Sequence, residues 1–396
     1  MKDKIFTHLD NLYDEMVLLR RDFHMYPELS FQEERTARVI ADYQQRLGLE
    51  VRTNVGGNGV VATLRGKYPG KTVAIRADFD ALPIEEENDV PYKSKYPGIM
   101  HACGHDAHTA IALGLAKAFK SMQDELTGNI VFIHQHAEEQ DPGGAKTMIE
   151  DGALDGVDVI FATHMENYIP VDHIWHNDSY ILGASDDFTI TLTGNGGHAA
   201  FPQDTTDIIQ IGSQLVSSLH HVVSRKVDPL LPAVLTIGSF QAGQKSNVIP
   251  ETCVIKGTVR TFDENIRQEM HQWVKQITEH TSKAFGATYE VKYDFGYPAT
   301  KNHKEINQLL CQAAEDVIPV ENILEMKPNM GAEDFSYFLN EIPGVYFFTG
   351  SANEEKGFTH PYHHPKWDID EKALLNGAKI LASATIDYLQ VDTASK

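Results

Sequence analysis

The sequence predicts an α/β protein: a larger domain with a central, mostly parallel sheet flanked by helices, interrupted by an inserted ferredoxin-like βαββαβ domain. Three observations predict it. Strand and helix patterns alternate over roughly the first 170 residues, which is the signature of a layered α/β sheet. Near residue 185 the order becomes strand, helix, strand, strand, helix, strand, which is one compact supersecondary unit. Beyond residue 300 the chain returns to long helical patterns, so the middle unit reads as an insertion. The expected boundaries are 1–184 with 298–396 for the larger domain and 185–297 for the inserted one.

Taken in order, residues 1–48 read as two amphipathic helices broken at MYPELS, where Pro27 ends the first and Ser30 can begin the second. GVVATLRG and KTVAIRADFD have the short, β-branched character of strands, and the second ends in the carboxylates Asp78 and Asp80. HTAIALGLAKAFKSMQ is a helix, NIVFIHQHAEE a strand, GGAKTMIEDGAL a helix and VDVIFATHME a strand. Three of these strands, ending RADFD, HAEE and THME, finish in metal-capable residues. Ligand sites lie beyond the carboxyl ends of such strands, so the placements support one another. In the middle unit, DDFTITLTG, AVLTIGSFQAG, ETCVIKGTVRTFD and ATYEVKYDF are the strands, and TTDIIQIGSQLVSSLHHVVSR and ENIRQEMHQWVKQITEHTSKAF the helices. HKEINQLLCQAAEDV and EKALLNGAKILASATIDYL return to the larger domain.

Composition narrows the function. A chain of 396 residues with 42% hydrophobic content is long enough for two cores. Its 34 basic and 56 acidic residues give a net charge of −22, a field that repels nucleic acid and anionic membrane, so neither is expected as a partner. Three cysteines cannot complete a disulfide framework, and charges interrupt every apolar run of the N-terminal segment. A cytoplasmic protein with Cys253 and Cys311 reduced is the expectation.

The chemistry is concentrated in four short segments: HACGHDAH, HAEE, THME and HHP. The first holds His101, Cys103, His105, Asp106 and His108, a density of thiolate, imidazole and carboxylate that suits zinc, manganese or nickel. Gly104 permits a tight loop that turns Cys103 and His105 onto one ion. In HAEE the adjacent Glu138 and Glu139 cannot both point the same way, so one can bind metal while the other faces the attacking water. A lone histidine or glutamate pair is usually structural; the coincidence of all four segments points to a metal-dependent hydrolase.

RRDFHMYPELSFQEERTA, RADFDALPIEE, MHACGHDAHTA, HAEE followed by GGA, GNGGHAAFP, SNVIPE, GAEDFSYF and HHPKWDIDE, in this order, resemble the amidohydrolase subfamily of the dinuclear aminoacylase/carboxypeptidase metallopeptidases. The resemblance spans residues 19 to 372. It implies Cys103, His105, Glu139, His164 and His363 as ligands of two divalent ions, with His363 preferred over His364 because it stands two residues before the proline. Glu138 is implied as the general base and Asp80 as the carboxylate that orients a ligand. His198 is implied as an oxyanion contact from the inserted domain, and Asn247 and Arg260 as contacts to the substrate carboxylate. Gly331 is expected to let backbone approach the substrate, and Glu333 to brace His363 or a helix start. The sequence departs from the family where His136 stands before AEE, read here as a strand residue meeting solvent in preference to an extra polar group at the site, and where Gln203 replaces a histidine.

The implied substrate is an N-acyl amino acid, and the implied assembly a homodimer through the inserted domain, which would also act as a lid. A dipeptidase or carboxypeptidase on the same site is the near alternative. A non-catalytic metal-binding or redox-sensing protein using Cys103 is the distant one, disfavoured because a base that binds no metal has no purpose in a passive store.

Overall fold

A computed structural model describes residues 1–390 and divides them into two compact units, one formed by 1–181, 301–327 and 334–390 and the other by 182–300 and 328–333.

The first unit is a mixed α/β structure on an eight-stranded sheet. It opens with helices α1 (Lys2–Met25) and α2 (Glu34–Arg46), followed by strands β1 (Glu50–Val55), β2 (Gly59–Arg65) and β3 (Tyr68–Asp78). Helix α3 (His105–Ser121), strand β4 (Thr127–Gln135), helix α4 (Ala145–Glu150) and strand β5 (Val159–Pro170) come next. The sheet order is β1-β2-β4-β3-β5, continued by the strands Gly344–Ala352, Ile174–His176 and Ile323–Glu325. Only its centre is a continuous parallel block: β4, β3, β5 and Gly344–Ala352 run parallel, whereas β1, β2 and β4 pair antiparallel, as do Gly344–Ala352 and Ile174–His176. The expected mostly parallel sheet is therefore mixed, because β1 and β2 form a hairpin and need no crossover helix.

The central strands are apolar runs, not alternations, as strands covered on both faces must be. Val73–Ala77 of β3 and Val159–Met165 of β5 are buried throughout. Helix α3 is buried on nearly every side, which explains its run of alanines and Gly114, where an added Cβ would sit 2.4 Å from Met16 Sδ of α1. Two boundaries differ from expectation. Helix α2 begins at Glu34, not at Ser30, whose hydroxyl donates instead to Asp80 Oδ2 at 2.7 Å. Strand β5 continues past the THME segment to Pro170, so His164 lies within a strand and not at its end.

The second unit has a four-stranded antiparallel sheet, in the order Ala233–Ala242, Thr252–Thr261, Ala184–Thr193, Thr288–Phe295. Its strands alternate in burial, so one face carries the core. The helices Ile208–Arg225 and Glu264–Ala284 start at Asp207 and Asp263, whose side chains accept from the N–H groups of Gln210 and Ile266. Phe188, Ile190, Leu215, Leu219, Met270 and Val274 belong to its core. No helix among the described residues is long and apolar enough to cross a membrane.

Candidate metal centre

Four stretches of the first unit converge on one buried cluster. Gly104, at φ 97°, ends the CGHD loop and starts α3; an added Cβ would lie 3.0 Å from Met165 Cβ, so the turn is open to glycine alone. This turn sets Cys103 and His105 side by side, and the loop after β4 brings Glu138 and Glu139. Cys103 Sγ lies 3.2 Å from His164 Nε2, and Glu139 Oε1 lies 3.2 Å from His363 Nε2. His105 Nε2 is 3.9 Å from both Glu138 Oε2 and Glu139 Oε1. Cys103 belongs to two groups whose ligand atoms all lie within 4.8 Å of one another, one with His105 and His164 and one with Glu139 and His363; His105, Glu138 and Glu139 form a third.

The ring orientations are those of metal-ligating histidines, which donate one N–H to an acceptor and turn the other nitrogen's lone pair to the ion. His105 Nδ1 donates to Asp80 through its carbonyl at 2.9 Å and its carboxylate at 3.1 Å. His105 Nε2 is then left buried with no hydrogen-bond partner among the described residues. His164 Nδ1 donates to the Met165 carbonyl at 2.8 Å, and its Nε2 faces Cys103. Asp80 also accepts from the Glu139 N–H at 3.0 Å, so one carboxylate steadies two of the four stretches.

The electrostatics call for cations. Burial pushes the Cys103 thiol well above its ordinary value, and Glu139, Glu138 and Asp78 add to the effect. Divalent ions reverse that logic, because a thiol bound to metal is deprotonated outright. A donor set of one thiolate, three imidazoles and a carboxylate, with a second carboxylate beside it, fits two such ions.

Beneath this cluster runs a polar network that single motifs do not reveal. The Met165 N–H donates to His108 Nε2 at 2.9 Å, so the ring proton is on Nδ1, which donates to Asp78 Oδ1 at 2.5 Å. Both nitrogens of His108 are thereby committed, and His108 supports the strand at His164. Although burial works the other way, Arg76, His105 and His108 hold the Asp78 carboxyl well below the usual carboxylate range. Arg76 bonds Asp78, Gln135 and Asp334, and Asp334 also accepts from Gln135 Nε2 at 2.7 Å and the Ala145 N–H at 3.1 Å. The presence of His108 three residues after His105 on one helix was the available signal for the upper part of this network.

His136 corrects an expectation: it is 2% exposed and follows the end of β4, so it is not a strand residue meeting solvent. Its ring packs edge-on to Phe31, and Gly57 leaves room for its Nε2.

The other expected site residues belong to the second unit. His198 pairs with Val248 in a short two-stranded sheet, the Ala199 N–H donates to the Asn247 carbonyl at 3.1 Å, and His198 and Asn247 are thus neighbours. Arg260, on the Thr252–Thr261 strand, donates to Thr258 Oγ1 and to the Val259 carbonyl. The Gly331 N–H donates to Asn329 Oδ1 at 2.8 Å, and Glu333 falls in the same unit.

A family model for Peptidase family M20/M25/M40 matches residues 74–387. The chain is 45% identical over 304 residues to the N-acyl-L-amino acid amidohydrolase of Geobacillus stearothermophilus, covering 77% of this chain and 82% of that one. It is 39% identical over 390 residues to the N-acetyl-L-cysteine deacetylase of Bacillus subtilis (strain 168), covering 98% and 92%. The crystal structure of the Bacillus subtilis YXEP protein, a dinuclear metal binding peptidase from the M20 family, superposes with a TM-score of 0.83 at 32% identity, covering 96% of this chain and 99% of that one.

Proposed function

The chain belongs to peptidase family M20/M25/M40, and from that premise we propose that it is a metal-dependent amidohydrolase that cleaves N-acyl amino acids to a carboxylic acid and a free amino acid. The observation that carries the reading is the adjacent acid pair beside the ligand cluster: Glu139 is 3.2 Å from His363, and Glu138 stands next to it within 3.9 Å of His105. Its relatives named for acyl amino acid hydrolysis, at 45% and 39% identity, support the substrate class.

Cys103, His105, Glu139, His164 and His363 would hold two divalent ions, with manganese, zinc or nickel matching the donor types. When bound, such ions supply Lewis acidity that polarises the amide carbonyl and acidifies the attacking water. Glu138 takes a proton from that water as its oxygen adds to the carbonyl carbon, and returns it to the nitrogen as the C–N bond breaks. Asp80 keeps His105 in the tautomer that leaves Nε2 unprotonated. His198 stabilises the tetrahedral oxyanion, Asn247 and Arg260 bind the amino acid carboxylate, and Gly331 leaves space for the substrate backbone.

We assign 185–297 as an inserted ferredoxin-like domain that acts as lid and dimer contact, with 1–184 and 298–396 as the catalytic domain. The strand order of the second unit supports its ferredoxin-like topology. A cytoplasmic setting agrees with the three free cysteines Cys103, Cys253 and Cys311, and the assembly is assigned as a homodimer by the family resemblance.

The test is a hydrolysis screen of N-acetyl, N-benzoyl and indole-acetyl amino acids, and of unblocked dipeptides, with each metal added back to apoprotein. Turnover of acylated substrates with little turnover of dipeptides is expected. Preference for free dipeptides would establish the peptidase alternative, and no turnover with any metal would reject the hydrolase reading.

A further inference from the structure

The loop that carries Glu138 has an unusual backbone. Ala137, directly before it, has φ 54°, a left-handed conformation that costs a residue with a Cβ roughly 1–2 kcal/mol. Such a residue persists only where its surroundings over-determine it. Here the holder is Glu33, 104 residues earlier in the chain. Glu33 Oε1 accepts from the Ala137 N–H at 2.8 Å, and its Oε2 accepts from Asn58 Nδ2 at 3.0 Å.

Glu33 occupies the N-cap position of α2, where an acidic side chain ordinarily serves the helix's own free N–H groups, yet it makes no capping bond. Glu28 does that work, accepting from the N–H groups of Arg35 at 2.9 Å and Thr36 at 2.7 Å. Glu33 is therefore released from a local duty and is 0% exposed, a position that an acid occupies only when its oxygens are satisfied. Its neighbours grip the same region: Ser30 donates to Asp80, and Phe31, itself at φ 66°, packs on His136.

We infer that Glu33 is a positioning residue for the hydrolytic reaction, holding the Ala137 amide so that Glu138 and Glu139 diverge from the loop in their separate directions. This inference rests on the roles proposed above for those two glutamates. The bond to the Ala137 N–H needs one acceptor oxygen, which a glutamine keeps, and the glutamine NH2 donates to Asn58 once that amide turns its oxygen inward. Burial pushes the Glu33 carboxyl up to about 7, so an uncharged side chain in this position is no foreign state for the loop.

The experiment compares Glu33→Gln and Glu33→Ala in the full chain. Amide hydrogen exchange is followed over 134–140 in metal-free protein, and kcat, KM and metal content are measured on metal-loaded protein with the substrate that the screen selects. Glu33→Ala should raise exchange in this segment and lower kcat by roughly 10- to 100-fold, the scale expected for a catalytic group displaced by about 1 Å, with KM little changed. Glu33→Gln should stay close to wild type in both. Adding Ala137→Gly to Glu33→Ala should recover part of kcat, because glycine takes the left-handed conformation without strain. Should Glu33→Ala fail to fold, Asn58→Ala removes one anchor of the carboxylate and should move exchange and kcat in the same directions. Unchanged exchange with unchanged kcat, or a loss that Glu33→Gln shares in full, overturns the inference. Glu138→Ala run beside these variants keeps the two claims apart: full activity there removes the base assignment, while the exchange data still decide what Glu33 holds.

Discussion

The backbone N–H of His363 donates to the carbonyl of Ala102 at 2.7 Å, joining the HHP loop to the CGHD loop next to Cys103. Two segments of the metal-capable cluster, far apart in sequence, are thus registered through main chain, and the His363 side chain is left to face Glu139. The side chain is 48% exposed, so its removal leaves no core cavity. His363→Ala should therefore lose bound metal while its apoprotein melts within a few degrees of wild-type apoprotein, the range for exposed substitutions. Metal analysis alongside thermal unfolding checks this, and full metal content in the variant would exclude His363 as a ligand.

Chelation should abolish activity, and metal should shield Cys103 from thiol reagents. Cys103 Sγ lies in the metal-capable cluster, 3.2 Å from His164 Nε2, and a ligating thiolate is no longer available to an alkylating agent. Mass-spectrometric alkylation of apo and metal-loaded protein reads this directly. Equal rates in both would count against Cys103 as a ligand.

A pH dependence follows from His24. Burial opposes its charge, but hydrogen bonds to Asp106 and Glu86 outweigh that and raise it to about 9. A histidine whose folded value lies above its unfolded value near 6.5 contributes stability that is complete below 6.5 and is lost as pH rises through about 9. Between pH 7 and 9.5 the melting temperature of metal-loaded wild type should fall more than that of His24→Gln. Parallel curves would show that His24 is uncharged in the fold.

The lid proposal predicts complementation. If His198 reaches the partner's site in a two-fold dimer, Glu138→Ala and His198→Ala should each be nearly inactive, yet a refolded equal mixture should regain about a quarter of wild-type activity. Random pairing makes half of the dimers mixed, each with one intact site. Mixed dimers seen by native mass spectrometry without recovered activity would mean that His198 acts within its own chain or not at all.

The clustering of the metal-capable side chains Cys103, His105, Glu138 and Glu139 was legible in the sequence because they lie in dense local motifs, and short motifs fix short-range geometry. The chemistry of Asp334, Arg76 and Glu33 was not, because each acts on a partner distant in sequence: Arg76 reaches Asp334, and Glu33 reaches Ala137. Ser30 illustrates the same point, since its local signal is helix capping and its actual partner is Asp80. The α/β pattern followed from periodicity, whereas the antiparallel edges depend on which strands pair, as with Gly344–Ala352 between β5 and Ile174–His176. An apolar run such as GVYFFTGSA carries no period that separates a buried strand from a buried helix segment.

The division of labour between Glu138 and Glu139 is the centre of the account, and one paired measurement tests it: kcat and metal content for Glu138→Ala and Glu139→Ala, purified under identical conditions. Glu138→Ala should keep both metals and lose roughly 100-fold or more in kcat, the scale for removal of a general base. Glu139→Ala should lose metal. Exchanged phenotypes, or a Glu138→Ala enzyme with wild-type kcat, would contradict the account.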